Sequence, residues 1–185
     1  EIFRHKYSRA KLVDFLSVQE STVIAMEACC GAHWLARKCK QFGHEVKLIP
    51  AQYVKPYVKT HKNDYIDADA IAEAATRPNM RFVSVKTEEA QLGTVIRRVR
   101  SGYIKERTAC MNRIGSILLE FGLSFPRGHH QMKNLFQWIA DQNEVLPPLL
   151  IAELTTQYEY YNQLNVWIKA QEDKLLALNK ENDIA

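Results

Sequence analysis

A chain of 185 residues, 46% apolar and 25% charged, has the hydrophobic mass for a core, which excludes disorder over its full length. Its formal net charge of only +4 means that any basic surface must come from local clustering. No apolar run approaches the roughly 20 residues that span a bilayer, and the opening EIFRHK lacks a signal-peptide core, so a cytoplasmic protein with no membrane partner is expected.

Residues 1–9 read as a strand or its end; with no initiator Met, the chain reads as a piece of a longer gene. Ala10 to Val18 reads as a helix with Leu12, Val13, Phe15 and Leu16 on its apolar side. The β-branched run from Ser21 to Met26 suits a strand buried on both faces and delivers Glu27 at its carboxyl end. A helix from Ala32 to Phe42 is stopped by Gly43, and His44 to Ile49 forms the next strand, ended by Pro50. Helix, strand, helix, strand predicts a three-layer α/β domain, in which functional groups gather at the carboxyl ends of the strands.

Ala51 to Thr60 is a basic, aromatic connector holding Tyr53, Lys55, Tyr57 and Lys59. A helix capped by Asn63 or Asp64 follows and ends at Arg77-Pro78, because a residue before proline is pushed out of helical geometry. Met80 to Val85 reads as a further short strand. From Thr87 a long helix reaches Phe121, its seam being Leu92, Ile96, Val99, Tyr103, Cys110, Ile114, Ile117 and Phe121. A short amphipathic segment, with Leu135, Phe136, Trp138 and Ile139, precedes Pro147-Pro148. The second long helix, Leu149 to Leu178, has its seam at Tyr161, Leu164, Ile168, Gln171, Leu175 and Leu178. Such helices should pair as an antiparallel hairpin or a coiled-coil dimer arm.

Three aspartates fall between Asp64 and Asp69. Asp64 and Asp67 lie one turn apart on one helix side, and carboxylates so close repel unless a cation such as Mg²⁺ joins them. The plainer alternative is an acidic first turn complementing the helix dipole. Glu27, directly after an apolar strand, is costly unless paired, metal-bound or already in solvent. Together Glu27, Asp64 and Asp67 form a candidate catalytic and metal-binding cluster of the kind phosphoryl-transfer enzymes use. Lys55, Lys59 and Lys62 beside aromatic residues, and Arg97, Arg98, Arg100 and Arg107 on the first long helix, are candidate nucleic-acid contacts. The competing account of both groups is a solvated surface. Cys29, Cys30, Cys39 and Cys110 show no CxxC spacing and fit free thiols in a reducing compartment.

The segments Met26-Glu27-Ala28-Cys29, Gly31-Ala32-His33-Trp34, Gly43-His44-Glu45-Val46 and Ile49-Pro50-Ala51-Gln52-Tyr53-Val54-Lys55-Pro56 carry a resemblance. It continues through Lys62-Asn63-Asp64-Tyr65-Ile66-Asp67-Ala68-Asp69-Ala70-Ile71-Ala72-Glu73-Ala74 and Arg77-Pro78. In these the chain resembles the DEDD transposases of bacterial insertion sequences, the group that includes Piv-type DNA invertases. The resemblance implies an α/β domain of RuvC-like, RNase H-like fold at 1–86 and a helical coiled-coil or dimerisation arm at 87–185. It also implies Mg²⁺-dependent DNA cleavage and rejoining, with Glu27, Asp64 and Asp67 as the last three of four carboxylates. The first aspartate, on the opening strand of that fold, is expected to be missing, as is a later domain with a nucleophilic serine; the fragment would then be inactive. DNA, a structured guide RNA and a homodimer or higher oligomer are the implied partners. The competing readings are a non-catalytic nucleic-acid-binding remnant of a decayed element, and a structure-selective junction nuclease.

Overall fold

The computed structural model of the chain describes residues 5–58, 64–142 and 146–184, and of residues 64–66 and 180–184 the backbone alone. Two compact units divide it, Glu1–Thr87 and Glu88–Ala185.

Ser8 opens the first helix. Its hydroxyl accepts the Lys11 N–H at 3.3 Å, satisfying a free donor of the first turn, and α1 spans Arg9–Ser17. Residues 5–8 are therefore irregular chain and a helix cap, not the strand expected there. The buried His44 ties α1 to the sheet: its Nδ1 accepts the Thr22 N–H at 3.3 Å and its Nε2–H donates to the Leu16 carbonyl at 2.8 Å.

β1 (Val23–Glu27) and β2 (Glu45–Ile49) pair in parallel, from Val23 opposite Glu45 to Glu27 opposite Ile49. A parallel pair needs a crossover, which α2 (Ala32–Gln41) provides. At its end Gly43 takes φ +89, a region open to glycine without strain, and the His44 N–H reaches back to the Cys39 carbonyl at 3.0 Å.

Strand alternation places a helix on each face of this pair. Met26, Val46 and Leu48 pack with Ala32 and Ala36 of α2. Ile49 packs with Val54 of the short α3 (Ala51–Val54) and with Ala70 and Ala74 of α4 (Asp64–Ala75). The small alanines let α4 approach the strands closely. Three layers result, as expected, around a sheet that has two strands among the described residues.

The strand expected at 80–85 is absent. Val83 alone forms an antiparallel bridge, to Leu48. Val83 and Val85 nevertheless pack into the α2 layer. Side chains of α2 hold the Lys86 backbone instead: Arg37 Nη1 donates to its carbonyl at 3.0 Å and His33 Nδ1 accepts its N–H at 3.3 Å. Backbone groups satisfied in this way have no call for a ladder.

In the second unit α5 (Glu88–Glu120) and α7 (Pro148–Ile184) form an antiparallel hairpin. Its direction shows in the pairs Arg100 with Glu172, Arg107 with Asn165 and Cys110 with Gln157. Cys110, Ile114, Leu118, Leu154, Tyr161 and Leu164 form its core with Leu135 and Ile139 of α6 (Leu135–Asp141). The α7 seam is as expected, with Tyr161, Leu164 and Ile168 buried. On α5 the line differs by a residue over its first half, where Leu92 and Val99 are exposed; Gly93, Ile96, Cys110, Ile114 and Leu118 are buried, and Phe121, just past the helix, is exposed. Arg100 and Arg107 are half-buried on that line because α7 offers each a polar partner. Reading apolarity alone passes over such positions. Among the described residues no helix is long and apolar enough to cross a membrane.

Candidate functional site

Glu27 is fixed by the ladder around it: it lies opposite Ile49, whose carbonyl accepts the Ala28 N–H at 2.8 Å. Alternation puts it on the strand face shared by Val23 and Ala25, which border a cavity with Ala68, Ile71, Ala72 and Ala75 of α4. The half-buried Glu27 itself lines a second cavity, of about 460 Å³, together with Ile71, Cys29, Cys30, Trp34 and Arg9. The end of α4 neighbours the start of β1, and Ile71 neighbours its end, so α4 presents its amino end toward Glu27.

Asp67 precedes Ile71 by one turn and is half-buried, whereas Asp69 is exposed. Asp64, the first residue of α4, lies on the same stripe by its backbone; its side chain is outside the described residues. The structure thus brings Glu27 and the Asp67 stripe to one side of the sheet. Among the described residues no group of three or more His, Cys, Asp and Glu is placed to hold a metal. The donor set itself is hard oxygen, which fits a cation such as Mg²⁺ in preference to a soft metal.

Arg9 in this cavity was not singled out from the sequence; its guanidinium lies 5.3 Å from the Trp34 ring centroid. Burial, with the cations of Lys86 and Arg37 nearby, holds the His33 imidazole below its ordinary range.

The predicted cations separate into groups. Lys55 is exposed on the 3-10 turn Lys55–Tyr57. Lys59 and Lys62 lie outside the described residues. Arg97 and Arg98 are exposed on α5. Arg100 is engaged within the hairpin, its Nη2 and Nε donating to Glu172 at 2.6 and 3.0 Å. Arg107 Nη1 donates to Asn165 Oδ1 at 2.9 Å. Both guanidinium groups are thus engaged by α7 at half-buried positions, whereas Arg97 and Arg98 are exposed.

A third cavity of about 530 Å³ is lined by Tyr53, Pro56, Tyr57, Arg77, Asn79, Met80 and Arg81. Arg77 lies over the Tyr57 ring at 5.5 Å and donates to Glu73. From the sequence, Arg77-Pro78 read as a helix terminator and as part of the family resemblance, and nothing local coupled it to Tyr57.

A family model described as transposase, that of the DEDD type and IS110 group, matches residues 4–123. The chain is similar to a transposase for insertion sequence element IS1328 of Yersinia enterocolitica, 42% identical over 174 residues, 94% of this chain and 52% of that one. A putative transposase of Sinorhizobium fredii is 39% identical over 98% of this chain and 47% of its own length. The transposase for IS1111A of Coxiella burnetii is 36% identical over 98% of this chain and 50% of its own. The chain spans about half the length of these relatives. No solved structure matches it.

Proposed function

Because the chain belongs to the DEDD transposases of the IS110 group, we propose that its first unit carries part of a RuvC-like carboxylate site for cutting and rejoining insertion-sequence DNA. The observation that supports this reading is the shared cavity of Glu27 and Ile71, one turn from Asp67. Glu27, Asp64 and Asp67 would hold Mg²⁺, which when bound supplies charge stabilisation at a phosphate or its attacking group. The chain's own part is positional. The parallel ladder fixes Glu27, and the alanine face of α4 sets the depth of the aspartate stripe. Lys55, Arg97 and Arg98 would contact the nucleic-acid backbone, and Lys59 and Lys62 belong to the same reading. A structured guide RNA is included among the partners. A second copy of the chain would cover the exposed Leu92, Val95 and Val99 of α5.

Electron paramagnetic resonance titration with Mn²⁺ tests the site without requiring activity. Glu27→Gln and Asp67→Asn should each weaken binding by about tenfold or more, as loss of one charged ligand does. Unchanged binding in both variants would overturn the assignment.

A further inference from the structure

The third cavity differs in chemistry from the carboxylate one. Tyr53 and Tyr57 pack their half-buried rings on Ile49, Val54, Ala70 and Ala74, so both rings are held before any ligand arrives. The Arg77 guanidinium covers the Tyr57 ring at 5.5 Å and is oriented by Glu73. A flat cation fixed on an aromatic ring extends the stacking platform, because guanidinium planes and aromatic rings both accept bases. Arg81 is exposed in the lining and Lys55 in the adjoining turn. Asn79 brings an amide with both a donor and an acceptor, and among the described residues no carboxylate lines the cavity. Its volume of about 530 Å³ falls within the range of roughly 300–1,000 Å³ usual for small-ligand sites.

We infer that this cavity takes one unpaired nucleotide, its base on the Arg77–Tyr57 stack and its phosphate at Arg81 and Lys55. A duplex cannot offer that base, since both of its faces are covered by neighbours in the stack. The site rests on the transposase reading only for the class of polymer, and the unpaired strand is either DNA or RNA. The competing account is a clamp that holds the end of α4 and binds nothing.

Fluorescence anisotropy with the full chain decides, using oligo-dT, oligo-rU and a DNA duplex of equal length at low salt. Arg77→Lys keeps the charge and removes the plane; Arg81→Ala removes an exposed cation. Each should weaken binding of the preferred single strand by about five- to tenfold, with duplex affinity within about twofold. Arg81→Ala should also lower the salt slope for that strand by about 0.7. Preference for dT or for rU shows which polymer supplies the nucleotide, and either supports the site. Single-strand affinity unchanged in both variants, or equal losses for duplex and single strand, overturns it. Wild-type binding of duplex alone overturns the nucleotide site and leaves the transposase reading standing; loss of the Mn²⁺ effects fails that reading and leaves the nucleotide site standing. No binding of any probe overturns the nucleotide site and the nucleic-acid contacts together.

Discussion

Glu27 sits half-buried at the end of an otherwise apolar strand, in a cavity it shares with Ile71 of α4. In the proposed site Glu27 would share a cation with Asp64 and Asp67, and carboxylates so gathered repel each other when the cation is removed. Glu27→Gln is therefore expected to stabilise the chelator-treated protein, by roughly 1 kcal/mol or less, in thermal unfolding; the same change should remove the stabilisation that added Mn²⁺ gives the wild type. The thiols divide by environment. Burial pushes the Cys39 and Cys110 thiols up, and Cys110 Sγ lies 3.3 Å from the Gln157 carbonyl. Cys29 and Cys30 are exposed. A colorimetric thiol reagent should thus modify Cys29 and Cys30 quickly in the native protein, and Cys39 and Cys110 only after denaturation. Prompt modification of Cys110 would mean that the hairpin core opens. The place of Glu27 at a strand end was legible because an acid after an apolar run is a local signal. Arg77 was not, because its stacking partner Tyr57 lies on another element.

At the scale of elements, the periodicity that marked α7 is the periodicity of its burial, with Tyr161, Leu164 and Ile168 buried. In the segment 80–85, Val83 and Val85 report burial against α2, not whether the backbone pairs. The α5 seam shows a second failure, since Arg100 and Arg107 occupy half-buried positions through bonds to α7. Leu164→Ala should cost about 2–5 kcal/mol, read by chemical denaturation, because Leu164 is fully buried in the hairpin core. A pH effect belongs to this element too. Burial first, then Arg107 and His130, holds His129 below its ordinary value. Its Nε2 faces Arg107 at 3.4 Å, and its Nδ1 pairs with the Tyr161 hydroxyl. Below about 6.5 the unfolded chain binds a proton that the folded ring resists. Hairpin stability is therefore present above that pH and is lost as pH falls through the folded value. Circular dichroism melts between neutral and mildly acidic pH should show a falling midpoint, and His129→Gln should flatten it.

At the scale of the molecule, family membership was legible because it rests on clustered motifs, and the family match covers residues 4–123. The sheet was less so: two strands among the described residues are fewer than the sequence reading expected. If a second copy covers the exposed Leu92, Val95 and Val99, as proposed, light scattering should give a dimer mass that Val95→Lys reduces to a monomer mass. In the proposed site, Glu27 and the Asp64–Asp67 turn would serve the same cation. Iron-directed backbone cleavage measures this directly: Fe²⁺ takes the Mg²⁺ site, and peroxide with ascorbate cuts the chain nearby. Cuts should fall both beside Glu27 and between Asp64 and Asp67, and excess Mg²⁺ should suppress both together. Cuts at only one of the two segments, or a pattern that Mg²⁺ leaves unchanged, would contradict the account.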